Sequence, residues 1–234
     1  MPAALIIGAG SRVGKSTADA FAKAGYSIAL ASRSNKSGSQ YTHFTFDASK
    51  PETVKDLFND VRKRIGPPSV VIYNAYSDHI GEGIASEQIG VFESDMNVNA
   101  TSAWVSAGEA IKGFESLGAE GLGPEGATFI FTGNLFNFTV APKFLTFGMG
   151  KSASSHMIQH LALVAYNDKP YKFYYGDQRN AEGSPMYTGL SGPAHADQYL
   201  KLSQDPKQGP WLQTFVEGNG YVEFPRLETW APRK

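Results

Sequence analysis

The 234 residues carry 21 Lys+Arg against 22 Asp+Glu, a formal net charge of −1, and no cysteine. That balance gives no electrostatic footing for nucleic acid or an anionic membrane, and the missing thiols exclude disulfides, thiolate metal sites and a cysteine nucleophile. At 25.3 kDa the length suits one α/β domain over 1–234, and no apolar run approaches a membrane span. With a first strand expected within a few residues of Met1, no leader is expected, and the end Ala231-Pro232-Arg233-Lys234 is not the Ser-Lys-Leu peroxisomal address. The expectation is a cytoplasmic protein with neither nucleic-acid nor membrane partners.

Residues 4–33 read ALIIGAGSRVGKSTADAFAKAGYSIALASR: an apolar run, a glycine turn, an amphipathic stretch and a second apolar run. That order predicts strand, turn, helix and strand, the opening of a nucleotide-binding α/β unit. Gly8, Gly10 and Gly14, with Ser11, Arg12 and Val13 between them, let backbone N–H groups approach a pyrophosphate, and a helix starting near Val13 turns its positive end to the same anion. Arg33, ending the second strand, suits the 2′-phosphate of NADP(H) where an acidic residue would select NAD. An overlapping motif, Ala9-Gly10-Ser11-Arg12-Val13-Gly14-Lys15-Ser16, is a P-loop if Ala9 replaces its first Gly. There Lys15 would meet the terminal phosphates and Ser16 magnesium, with no role for Arg33.

The alternation continues. A short strand over 43–46 closes at Asp47, and a helix over 51–65 has Ser49 as its cap. Gly66-Pro67-Pro68 breaks it before a strand over 69–73; a mixed loop over 77–86 leads into a long helix over 88–114. A strand over 128–132, a second long helix over 146–166 and a strand over 171–175 follow. The segment 176–195 lacks a period and holds Gly, Pro and Ser, so it is expected to be a long loop covering the substrate. A strand over 211–216 and a piece over 221–224 close the chain, with Gly209-Pro210-Trp211-Leu212 anchoring the C-terminal tail. Strands separated by helices predict a Rossmann-type doubly wound parallel sheet in three α/β/α layers.

Further residues join the glycine turn in one pattern. Asn74-Ala75 follows the fourth strand, Met96-Asn97-Val98-Asn99 lies on the first long helix, and Lys151 on the second. With Asp47 these make the chain resemble the short-chain dehydrogenase/reductase family over nearly its whole length. The resemblance implies that Asp47 contacts adenine, that Asn74 and Ala75 border the cofactor, and that Asn99 and Lys151 belong to a catalytic tetrad. The other two members depart from the pattern. Asn134 stands where the resemblance places Ser, and Phe147-Gly148-Met149-Gly150-Lys151 stands for Tyr-x-x-x-Lys, so Phe147 replaces the proton-donating tyrosine.

Losing a positioned acid costs a factor of roughly 10²–10⁴. Lys151 keeps an ammonium for the nicotinamide ribose, Asn134 an amide for a developing oxyanion, and Asn99 could hold a relay water beside Lys151. Tyr76, Tyr175 and Asp177 are further candidate donors at strand ends. Phe136, Phe138 and Phe147 are expected to form an apolar substrate wall. His156 and His160 have the i, i+4 spacing of metal ligands but no third partner near in sequence, so no metal is expected. Gly148, Gly150, Ser152 and Ala153 would let helices approach closely, and the resemblance implies a homodimer or homotetramer through the two long helices.

The resulting expectation is an atypical NADPH-dependent reductase of a small or medium organic carbonyl or imine. The alternatives are a non-redox isomerase or cyclase on the same fold, and a non-catalytic NADP-binding protein.

Overall fold

A computed structural model describes residues 1–35, 40–81, 84–85, 88–186 and 188–230; the end 231–234 lies outside the described residues. Its centre is a sheet of eight strands: β1 (Ala3–Ile7), β2 (Ser27–Ser32), β3 (Thr42–Thr45), β4 (Val70–Tyr73), β5 (Ala127–Thr132), β6 (Tyr171–Arg179), β7 (Leu212–Val216) and β8 (Gly220–Tyr221). They lie in the order β3-β2-β1-β4-β5-β6-β7-β8. Every pairing is parallel except β7 with β8. The chain reverses its winding between β1 and β4, the point where ligands enter doubly wound sheets. The predicted three-layer α/β architecture is the one observed.

Alternate residues of the central strands serve two cores, as a pleated strand requires. Leu5, Ile7, Val71, Tyr73, Phe129, Phe131, Phe173 and Tyr175 face one cluster, shared with α2 (Val54–Ile65) and α4 (Ser102–Leu122). Ala4, Ile6, Ile72, Ile130 and Tyr174 face the other, with Phe21 of α1 (Val13–Lys23) and Tyr199 of α6 (Gly192–Gln204). The register aligns Tyr73 with Phe131 and Phe131 with Tyr175. Their rings stack at 5.6 and 5.5 Å, a continuous aromatic floor near the C-terminal strand ends.

Several expected boundaries shift. Neither long helix is a continuous α-helix. α3 (Ile89–Met96) reaches α4 through a π-turn over Asn97–Thr101, and α5 (Leu145–His160) ends in another over Leu161–Ala165. The first π-turn is tied down on one side by the Tyr73 hydroxyl donating to the Val98 carbonyl (2.6 Å). On the other side Ser102 Oγ donates to the Ala48 carbonyl (2.7 Å). Ser49 does not cap a helix: its N–H and hydroxyl both donate to Asp47 Oδ1, and the helical segment opens as a 3-10 turn over Pro51–Thr53.

The largest correction concerns the expected loop at 176–195. Its first residues, Gly176 to Arg179, extend β6, and its last residues open α6. The polar residues of that buried strand are partly paired, with Asp177 Oδ1 and Gln178 Nε2 left without a partner among the described residues. Arg179 Nε donates to Asp177 Oδ2 at 2.7 Å, and the Ser191 N–H donates to Gln178 Oε1 at 2.8 Å. Ser191 then caps α6 by accepting from the Ala194 N–H. Only 180–191 remains between the two elements.

His195 of α6 is buried edge-on against Tyr199 and Phe215. Burial pulls its imidazole down to about 4 from 6.5. Between those values the unfolded chain binds a proton that the folded chain refuses, so stability falls as pH drops through this window. We expect wild type to lose about 2 to 3 kcal/mol from this group between pH 7 and 4.5. Urea denaturation at the two pH values should show a smaller loss in His195→Gln.

Candidate active site

The C-terminal ends of β1, β2, β4 and β5 open into one cleft of about 930 Å³. Its floor near β1 is built by close backbone approach. Gly8 has φ +82°, and a Cβ there would lie 2.5 Å from Ala75 Cα and 2.7 Å from Asn74 C. Asn74 Nδ2 donates to the Gly8 carbonyl at 2.9 Å, which welds the β1 and β4 ends together. Gly14 is needed for a different reason: a Cβ would meet Ala9 Cα at 2.7 Å, so the first turn of α1 could not fold against the loop. No side chain caps α1, and Gly8, Gly10, Ser11, Arg12 and Val13 all border the cleft. An uncapped helix start beside a glycine turn is a ready anion site. Arg33 and Asp47 line the same end. The Ser49 N–H donating to Asp47, reinforced by the Ser49 hydroxyl, holds that carboxyl below its usual range against partial burial.

Lys15 and Ser16 do not join this wall. Lys15 pairs with Asp19 one turn along α1 at 2.5 Å, and Ser16 packs toward Gly192 of α6. The P-loop arrangement therefore lacks its lysine and its metal-binding hydroxyl at the cleft.

The other end gathers Asn134, Phe147 and Lys151. Lys151 is 2 % exposed. Its ammonium donates to the Thr132 carbonyl at 3.1 Å and sits 4.6 Å above Phe131 and 5.3 Å from Phe147. Burial pulls it down to about 7, against the pull of Asp177 and Asp78. The Asn134 Oδ1 accepts from the Phe136 N–H at 3.1 Å; its NH2 group has no partner among the described residues. Asn99 is buried, but both ends of its amide are engaged: Nδ2 donates to the Ser77 carbonyl (2.6 Å) and Oδ1 accepts the Ser77 N–H (3.2 Å). One Nδ2 hydrogen and one Oδ1 lone pair remain beyond these two bonds. Gly150 explains how α5 comes so close, since a Cβ there would lie 2.5 Å from Asn99 Cβ. Its small size serves packing within the chain.

Of the other candidates, Tyr175 is buried with its hydroxyl donating to the Asn134 carbonyl and accepting the Asn134 N–H. Asp177 is buried against Arg179, and burial outweighs that partner to push it up. Tyr76 borders the cleft and is 59 % exposed. The apolar wall consists of Phe136, Phe144, Phe147 and Trp230. Phe138 lies elsewhere, under the Arg226 guanidinium at 5.1 Å. Trp230 is brought in by the tail pairing with Val140, whereas Trp211 packs on the main core.

The sequence alone gave no reason to single out a second polar group. Asp95 of α3, fully buried, accepts from Ser77 Oγ (2.6 Å), Thr146 Oγ1 (2.6 Å) and His79 Nδ1 (2.5 Å). Burial by itself would raise this carboxyl, and the three donors together hold it below its usual range. No motif spacing links residues 77, 79, 95 and 146, so only folding could reveal the cluster.

A short chain dehydrogenase family model matches residues 2–167. The chain belongs to the short-chain dehydrogenase family. The Short chain dehydrogenase/reductase dmxR12 of Cryptosporiopsis sp. (strain 8999) is 44% identical, over 96% of this chain and 95% of that protein. Among solved structures, a metagenomic short-chain oxidoreductase in complex with NADP superposes with a TM-score of 0.80 at 11% identity, covering 92% of this chain and 96% of that one. ElxO with NADP bound gives 0.75 at 15% identity, covering 93% and 98%. At such identities the two structures speak for the fold, and the family for oxidoreductase ancestry.

Proposed function

We propose that this short-chain dehydrogenase is an NADPH-dependent reductase of a small or medium, flat apolar carbonyl compound or imine. One observation carries this: the phosphate-suited glycine turn and Arg33 share a single cleft with Lys151, Asn134 and the aromatic wall. NADP(H) fits the residues present. The cradle formed by Gly8 and Ala75 admits no side chain, the start of α1 is uncapped, and an arginine borders the ribose end. Gly8, Gly10, Ser11, Arg12, Val13 and Gly14 would hold or shape the pyrophosphate site. Asp47, Asn74 and Ala75 would border the adenosine, and Lys151 the nicotinamide ribose. When bound, the cofactor supplies hydride.

In this reading Phe147 occupies the place of the family tyrosine and Asn134 that of the serine. The Asn134 NH2 orients the substrate oxygen or nitrogen, and Lys151 adds positive potential beneath it, strengthened by its dry surroundings. Phe136, Phe144 and Trp230 exclude water from the reacting face.

Calorimetric titration with NADPH, NADH and ATP tests the cofactor half. We expect micromolar NADPH binding and much weaker NADH binding, with Arg33→Asp lowering NADPH affinity about tenfold or more, as loss of a charge-assisted contact predicts. ATP binding in preference to both dinucleotides would sink the assignment.

A further inference from the structure

Resting on the reductase reading, we propose that His79, oriented by Asp95, is the group that protonates the substrate. His79 and Asp78 lie on the cleft wall with Phe147, Asn134 and Lys151. The His79 side chain is half exposed, while the Asp95 side chain is fully buried. A carboxylate only accepts hydrogen bonds, so the 2.5 Å contact requires the proton on Nδ1. That leaves Nε2 as the atom that takes and gives a proton. Asp95 cannot swing away, because Ser77 Oγ and Thr146 Oγ1 hold its two oxygens from the β4 loop and α5. An orienting carboxylate, an imidazole and an open outer nitrogen form the arrangement of a positioned acid–base pair.

The rival donors are less well placed. The Tyr175 hydroxyl is committed to the Asn134 backbone. The Tyr76 hydroxyl has no hydrogen-bond partner among the described residues, so nothing fixes its direction. Lys151 donates into the sheet end at Thr132. The charged groups beside His79 are Asp95 and Asp78, and Lys151, which lines the same cleft, acts on Asp78.

The step balances simply. Bound NADPH would supply the hydride that forms a C–H bond at the carbonyl carbon as the C=O π bond opens. The proton on Nε2 of the imidazolium passes to the oxygen, giving an alcohol, oxidised cofactor and neutral imidazole. The half-exposed ring then recovers its proton from solvent.

The test uses NADPH with two probes, phenanthrenequinone and N-methyl-dihydroisoquinolinium. The quinone needs a proton as hydride arrives; the iminium needs none. In His79→Gln the ratio of quinone to iminium turnover should fall about 10²-fold or more, and added imidazole should restore part of it in His79→Ala. Asp95→Asn should lower kcat for the quinone with KM little changed. An unchanged ratio in His79→Gln, or a ratio that falls only in Tyr76→Phe, overturns the proposal. So does wild type that reduces the iminium but not the quinone, which leaves the reductase reading standing. Wild type that reduces neither overturns that reading itself.

Discussion

Replacing Lys151 by Met is expected to stabilise the cofactor-free protein at neutral pH while cutting NADPH-dependent turnover at least about 100-fold. The amine is 2 % exposed and its only hydrogen bond among the described residues is to the Thr132 carbonyl. Burial pulls it from 10.5 down to about 7. Below pH 7 both folded and unfolded chains carry the proton, and the folded chain bears the full cost of a dry ammonium. Between pH 7 and 10.5 the unfolded chain binds more protons, so stability rises with pH. From pH 7 to 9.5 that rise amounts to about 3 kcal/mol.

Lys172, pulled down to about 8 by burial against the opposing pull of Asp205 and Glu125, adds a slope of the same sign. The part due to Lys151 is therefore the difference between wild type and Lys151→Met. Denaturant midpoints at pH 7 and 9.5 should show the variant more stable by about 2 to 4 kcal/mol at the lower pH, converging at the higher one. A variant less stable than wild type at pH 7 would mean that the hydrogen bond and the ring contacts outweigh the burial cost. A persistently costly lysine facing Asn134 and Phe147 across one cleft is what a site, as opposed to a core, accepts.

The second large effect is expected at Gly8. An alanine there must adopt φ +82° and place its methyl carbon 2.5 Å from Ala75 Cα and 2.7 Å from Asn74 C. Both obstacles are backbone of a neighbouring strand end, held by the Asn74 N–H to Ile7 carbonyl bond of 2.7 Å, so neither can step aside. Left-handed strain of about 1–2 kcal/mol and overpacking of about 1–3 kcal/mol add. Gly8→Ala should lose about 3 kcal/mol or more in urea denaturation. Gly10 is the control, since a Cβ there meets nothing within 4 Å. Gly10→Ala should keep wild-type stability and lose NADPH affinity about tenfold or more. Equal stability in both variants would show that the β1–β4 junction yields after all.

Much of the fold follows from local pattern. The glycine turn, the apolar runs and their alternation with amphipathic stretches were sufficient for a parallel three-layer sheet, because strands buried on both faces are continuously apolar. The pattern failed where polarity was local but burial was not. Gly176-Asp177-Gln178-Arg179 reads as loop, yet forms strand because Asp177 pairs with Arg179 and Gln178 with Ser191. The π-turn at Asn97–Thr101 was equally hidden, since its anchors Tyr73 and Ala48 lie far away in sequence.

What the sequence by itself determined is the chain's architecture and the position of its glycine turn, since both rest on spacings within one element or between neighbours. Tertiary structure alone decided which polar groups meet. It engaged Asn99 with Ser77, closed off the Tyr175 hydroxyl, replaced Phe138 in the aromatic wall by Phe144 and Trp230, and brought His79 onto Asp95. Side-chain encounters across 16 to 51 residues, as between Asp95 and its partners His79 and Thr146, depend on how helices settle on the sheet. No short-range pattern encodes that settling.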